Sequence, residues 1–173
     1  MKHFNIKKSV LTAVLAALTC TCTMIIHIDS PMGGYINIGD SFVVLSGFLL
    51  GPVFGALSGG IGSGFADFLT GHPVYIPGTI IIKALMAASA NFIFKFFKKS
   101  FLGSILATII AELIMVLGYI LYEWGFMGIG YGAIAGIIPN LIQAGFSFVL
   151  SIISTTIFKK NKFLSKYLGG GQF

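Results

Sequence analysis

The lysines, and where they fall, constrain this chain most. It carries 11 basic residues, and all of them are lysine. Ten stand in three clusters, each between or beyond long apolar runs. Lys2, Lys7 and Lys8 precede the first run. Lys95, Lys98 and Lys99 share one short interruption. Lys159, Lys160, Lys162 and Lys166 close the chain. The apolar runs cover roughly residues 9–28, 40–50, 53–69, 79–94, 101–122 and 131–158. A membrane span takes about 20 apolar residues, so six spans use about 120 and leave only short loops. Lysines collect on the cytoplasmic side of membrane proteins. With six helices, all three clusters fall on one side. With five, the C-terminal cluster would face away from the others. Runs 2 and 3 could form one re-entrant pair, but the charge pattern favours the even count.

Composition agrees. Only 9% of residues are charged and 56% are hydrophobic, whereas soluble domains average about 25% charged. A soluble enzyme and a disordered chain are both excluded. So is a nucleic-acid module, which would spread its basic charge over a face. The expectation is an all-α membrane protein: six transmembrane helices, both termini cytoplasmic, forming one domain over residues 1–173. The last residues, about 165–173, read as a short disordered tail.

Small residues recur four apart: Gly51, Gly55 and Gly59; Gly60 and Gly64; Gly128, Gly132 and Gly136. Such spacing lets membrane helices approach closely. In run 1, Ala13 and Ala17 make a narrow smooth face. Cys20 and Cys22 read as membrane-helix filler. The residues before Cys20 fit a lipoprotein signal poorly.

Ionisable groups inside a membrane are costly and mark function. Glu112 sits near the middle of run 5, and Tyr119 and Glu123 return to its face seven and eleven residues on. Lys83 lies one turn inside run 4. It either snorkels outward or meets Asp67, at similar depth in run 3, or a bound molecule. In run 6, Asn140, Gln143 and Ser147 share a face, and Pro139 is expected to kink the helix. Amides such as Asn140 and Gln143 suit a neutral heterocycle. The outer loop before run 2 carries Gly33, Gly34, Tyr35 and Asn37, a composition that suits a lid. Asp40 either caps run 2 or joins the site. His72 and Tyr75 lie in the next outer loop. His3, His27 and His72 have no metal-ligand spacing, so no metal or cofactor is expected. No Gly-x-Ser-x-Gly or Walker motif occurs, so an active pump would need its ATPase on another chain.

The stretch Gly34-Tyr35-Ile36-Asn37-Ile38-Gly39-Asp40 is followed by Leu50-Gly51-Pro52-Val53-Phe54-Gly55-Ala56 and Gly59-Gly60-Ile61-Gly62-Ser63. Ala66-Asp67, Pro73-Val74-Tyr75-Ile76-Pro77 and Lys83-Ala84-Leu85-Met86 continue it. This pattern resembles the substrate-binding S components of energy-coupling factor (ECF) vitamin transporters, densely over about residues 35–90. The nearest branch handles pyridoxine, hydroxymethylpyrimidine and riboflavin. The resemblance implies six helices and an outward-facing pocket for a water-soluble vitamin. It also implies a partnership with a transmembrane coupling subunit and two ATPases. Ala13 and Ala17 match the small pair by which the family docks that subunit. It implies a pocket formed by Glu112, Tyr119, Asn140 and Gln143, with Asn37, Asp40, His72, Tyr75 and Lys83 nearer the mouth. The expected substrate is pyridoxine- or hydroxymethylpyrimidine-like first and riboflavin second. The alternative is a self-sufficient secondary transporter or channel. An intramembrane enzyme would need a nucleophile–base pair that the sequence does not offer.

Overall fold

Gly51 and Pro52 divide an otherwise continuous apolar stretch. Gly51 takes φ 86, a left-handed value that side chains disfavour. Pro52 opens the next helix, where its missing N–H costs nothing. In the computed structural model, which describes residues 6–30 and 34–161, this break separates α2 (Asp40–Leu50) from α3 (Pro52–Leu69). The remaining helices are α1 (Ile6–Ile25), α4 (Ile76–Phe96), α5 (Phe101–Leu121) and α6 (Ile137–Lys160). A two-residue antiparallel ribbon, β1 (Ile28–Asp29) with β2 (Tyr35–Ile36), links α1 to α2. The chain is therefore nearly all-helical, with this small ribbon added to the expected helices.

Among the described residues, four segments are long and apolar enough to cross a membrane: Ile6–Ile25, Pro73–Phe96, Phe101–Phe126 and Gly130–Lys160. Helix α2 has 11 residues, a length of about 16 Å. It is buried along nearly all of that length. Successive helices reverse direction, so the N-terminus of α1, the α4–α5 turn and the C-terminus of α6 share one end of the bundle. Lys159 there donates to the carbonyls of Lys99 and Ser100 at 2.8 and 3.1 Å.

Polarity runs inside out. Val53, Leu57, Ile61 and Phe65 of α3 are exposed, as are Ile138, Leu141 and Phe146 of α6. Asp40, Asp67, Lys83, Asn91 and Gln143 are buried. In lipid the interior is where polar groups find partners, so this inversion fits a membrane solvent.

The glycines explain how closely the helices pack. A Cβ on Gly47 would collide with the carbonyl oxygen of Ala87, and one on Gly62 with that of Ala16. In the series Gly51, Gly55, Gly59, the last two work as packing, against Gly47 and Val43, while Gly51 makes the break between helices. The series Gly128, Gly132, Gly136 does not work as helix packing. Gly128 lies in a loop at φ 70, and Gly132 and Gly136 lie in a 3-10 segment spanning Gly130–Gly136. Pro139 does not kink α6 either. It is the third residue of that helix, where backbone N–H groups lack partners in any case.

Two apolar clusters fill the end away from the ribbon. The larger joins Val44, Phe48, Met86, Phe94, Ala107, Ala111 and Met115. The smaller joins Leu15, Leu45, Leu49 and Leu50. The proposed C-terminal tail and His3 lie outside the described residues.

Candidate binding cavity

At the other end, the helices leave a small cavity, with about 30 Å³ of water-accessible space. Its floor and walls are polar. Asn37 follows β2, Asp67 ends α3, Thr79 and Lys83 start α4, Tyr119 ends α5, and Glu123 lies in the π-helical turn Tyr122–Phe126 that follows it. Asn140 and Gln143 line it from the start of α6, and Tyr75 from the 3-10 turn before α4.

Lys83 does not snorkel. Its side chain is 2% exposed and its Nζ forms an ion pair with Asp40 Oδ1. Asp40 is fully buried at the first position of α2. Its other oxygen accepts from Gln143 Nε2 at 2.7 Å. Gln143 Oε1 in turn accepts from the backbone N–H of Asn37 at 2.9 Å and from Asn37 Nδ2 at 3.2 Å. One chain of bonds thus ties the loop before α2 to α2, α4 and α6. Asp40 is neither a simple cap nor part of the cavity lining. It fixes two side chains, Lys83 and Gln143, that do line it. The expected alternative partner for Lys83, Asp67, is taken elsewhere: it accepts from the Tyr35 hydroxyl. Burial first, then the Asp67 carboxylate, hold the Tyr35 phenol well above its ordinary range. Tyr35 therefore stays a donor.

The lining also carries aromatic rings. Tyr75 and Tyr119 rings lie 6.3 Å apart. The Tyr75 hydroxyl donates to Glu123 Oε1 at 3.2 Å, and Thr79 Oγ1 is 3.0 Å from the Tyr119 hydroxyl. Lys83 Nζ stands 5.2 Å from the centre of the Tyr119 ring, within cation–π range. Four buried polar atoms of the lining, Thr23 Oγ1, Ser63 Oγ, Asp67 Oδ2 and Glu123 Oε2, have no hydrogen-bond partner among the described residues. Buried polar groups are nearly always bonded. These four are where an incoming molecule would gain most.

Of the expected pocket residues, Asn37, Tyr75, Lys83, Tyr119, Asn140 and Gln143 come together here. His72 lies outside, with its ring 4.9 Å from that of Tyr35. Glu112 is also apart. It borders an apolar groove between α5 and α6, beside Leu113, Leu141 and Phe148. It is 4% exposed, and neither carboxylate oxygen has a hydrogen-bond partner among the described residues. The heptad from Glu112 to Tyr119 places both on one stripe, but the helix ends carry the cavity and the middle does not reach it. Thr23, Tyr35, Ser63 and Thr79 line the cavity without having been singled out. Tyr35 lay within the glycine-rich stretch read as a lid. The hydroxyls gave no signal, because Ser and Thr are common in membrane helices.

Fold and cavity together define a membrane-embedded protein with an enclosed polar site at one end. Comparison with known proteins gives the family. The model for the ECF-type riboflavin transporter S component matches residues 3–160, and the chain belongs to that family. It is an S component of an ECF transporter. A Pyrococcus woesei protein described as an uncharacterized protein in a gap 3' region is 34% identical over 132 residues. That match covers 74% of this chain and 84% of the relative. The thiamine precursor transporter HmpT of Lactococcus lactis subsp. cremoris (strain MG1363) is 26% identical over 174 residues, covering 96% of each. The fold is shared with a solved S component of a bacterial ECF transporter, with a TM-score of 0.71 and 22% identity. That alignment covers 91% of this chain and all of the solved one.

Proposed function

We propose that the cavity binds a single-ring, nitrogen-containing vitamin or vitamin precursor, of the pyridoxine or hydroxymethylpyrimidine kind, for import. The observation that carries this is the set of donors and acceptors that converge on one cavity. Asn140, Gln143, Lys83 and Asp67 line it together with the Tyr75 and Tyr119 rings. That pattern suits a flat polar ring, which can be stacked and read at its edge. An analogue lacking one group would leave a buried partner unpaired, which is how such a site discriminates. The near full-length likeness to a thiamine precursor transporter supports the same class. Riboflavin is the second reading, supported by the family model.

Membership of the family supports the rest of this proposal. The chain acts as a binding subunit rather than an enzyme. It works with a transmembrane coupling subunit and two ATPases. Ala13 and Ala17, both exposed on α1, form the docking face. The protein sits in the plasma membrane with both termini cytoplasmic. Lys7, Lys8, Lys95, Lys98, Lys99, Lys159 and Lys160 support that orientation. They lie at the helix ends opposite the cavity, which turns the cavity outward by the positive-inside rule. The whole chain acts as one domain.

Titration calorimetry of the purified protein with pyridoxine, hydroxymethylpyrimidine and riboflavin tests the substrate. Tight one-to-one binding of a single-ring compound without ATP is expected. Binding of riboflavin alone would move the assignment to the second reading, and binding of none would overturn it. Proton-driven uptake by this chain alone in liposomes would overturn the dependence on a coupling module.

A further inference from the structure

Behind Tyr35, on the side away from the cavity, three side chains far apart in sequence converge. His27 follows α1, Asp29 lies in β1, and His72 lies between α3 and the 3-10 turn. One potential ligand atom from each lies within 4.8 Å of the other two. His27 Nε2 is 2.8 Å from Asp29 Oδ1, and the two imidazole rings are 5.4 Å apart. No local spacing announces this group, because the fold assembles it. We propose that His27, Asp29 and His72 bind a divalent transition-metal ion of the Zn²⁺ class.

The donor set fits. Two imidazole nitrogens and one carboxylate oxygen, with a fourth position open to water, are a common environment for Zn²⁺ and are also accepted by Cu²⁺. Bonds of about 2.0 Å place tetrahedral ligands roughly 3.3 Å apart. Closing from 4.8 Å therefore takes a small side-chain movement. Asp29, with 79% of its side chain exposed, is free to make it.

The two histidines are already held. The backbone N–H of His72 donates to the Asp67 carbonyl at 2.8 Å. His72 Nδ1 is 3.2 Å from the Thr70 hydroxyl. His27 stacks on Tyr35 at 4.0 Å, and Asp29 pairs with Tyr35 across the ribbon. A buried nitrogen, His27 Nδ1, has no hydrogen-bond partner among the described residues.

The ion would join the α1–ribbon segment to the α3–α4 connection. Tyr35 belongs to both environments. It packs on the two histidines and reaches Asp67 in the cavity wall. An ion there would brace the cavity rim and slow exchange through it. That consequence rests on the cavity being the binding site. Metal binding does not, so the two can fail separately.

The test uses tag-free, full-length protein in nanodiscs of zwitterionic lipid. Cu²⁺ alone is followed by electron paramagnetic resonance, and Zn²⁺ alone by calorimetry. One equivalent should bind, with nitrogen splitting from two imidazoles. His27→Ala and His72→Ala should each weaken binding by about 100-fold or more. Losing a direct ligand should exceed the 10–100-fold typical of losing a supporting partner. His3→Ala should change nothing. His72→Gln guards against a folding defect, provided its thermal unfolding matches the parent. Three results would overturn the site: no stoichiometric binding, a spectrum unchanged by His72→Gln, or binding lost with His3→Ala.

Discussion

The two ends of this bundle solve the same problem in opposite ways. At the lysine-rich end, close approach is achieved with small residues and apolar filler. Gly47 lies against Ala87, and Phe48, Met86 and Phe94 pack behind them. Few polar groups lie there; Asn91 Nδ2 donates to the Gly47 carbonyl at 2.8 Å, while Asn91 Oδ1, Ser151 Oγ and Thr155 Oγ1 have no hydrogen-bond partner among the described residues. At the cavity end the helices stand apart, and long polar side chains fill the gap with bonds to one another. Dry packing fixes one arrangement. A bonded polar network can exchange partners with a ligand. On the proposed function, the molecule is tightly packed where it needs only to hold together and exchangeable where it binds.

The largest way to break this contrast is at Lys83. Removing one partner of a buried ion pair leaves an uncompensated charge and costs about 3–5 kcal/mol. Lys83→Met should therefore collapse stability in a thermal unfolding assay, and adding Asp40→Asn should restore much of it. If the single variant unfolds like the parent, Asp40 and Lys83 are not the keystone of the cavity end.

Gly47→Ala probes the dry end. Its new methyl would meet the Ala87 carbonyl, and overpacking costs about 1–3 kcal/mol. Gly145→Ala is the matched control, because a Cβ there has nothing within 4 Å. It should be neutral or slightly stabilising, as alanine exceeds glycine in a helix by about 0.5–1 kcal/mol.

Gln143→Leu should cost about 1–3 kcal/mol, since it leaves Asp40 and Asn37 short of a buried partner. It should also weaken ligand binding. Tyr75→Phe is the mildest change. It removes one hydroxyl bond to Glu123 and should cost about 0.5–1.5 kcal/mol, with unfolding barely shifted.

The ends also differ in how legible they were. The dry end was written in local patterns: glycines four apart, apolar runs, and a Gly-Pro break. These act between near neighbours on a helix face, so spacing reveals them. The cavity end depends on which residues meet across helices. Asn140 and Gln143 were legible as a polar face, and Lys83 as an exception among lysines. Its partner was not, because Asp40 and Asp67 lie at helix ends of similar depth and only packing chooses between them. Glu112 shows the limit from the other side. A carboxylate in mid-helix points to a site, yet its rotation about α5 turns it toward the groove shared with α6. The His27–Asp29–His72 group could not be read at all, since its members come from three different connections.

The central claim is that the polar end binds the cargo and the dry end does not. Calorimetry on two variants, one from each end, tests it most directly, using the bound vitamin or precursor as titrant. Asp67→Ala should lower affinity by about 100-fold, since it strips a charged partner from the cavity, worth about 1.5–3 kcal/mol or more. Asn91→Ala should leave the Kd of the folded protein unchanged, although it lowers stability. Equal losses in both variants, or a loss confined to Asn91→Ala, would contradict the account.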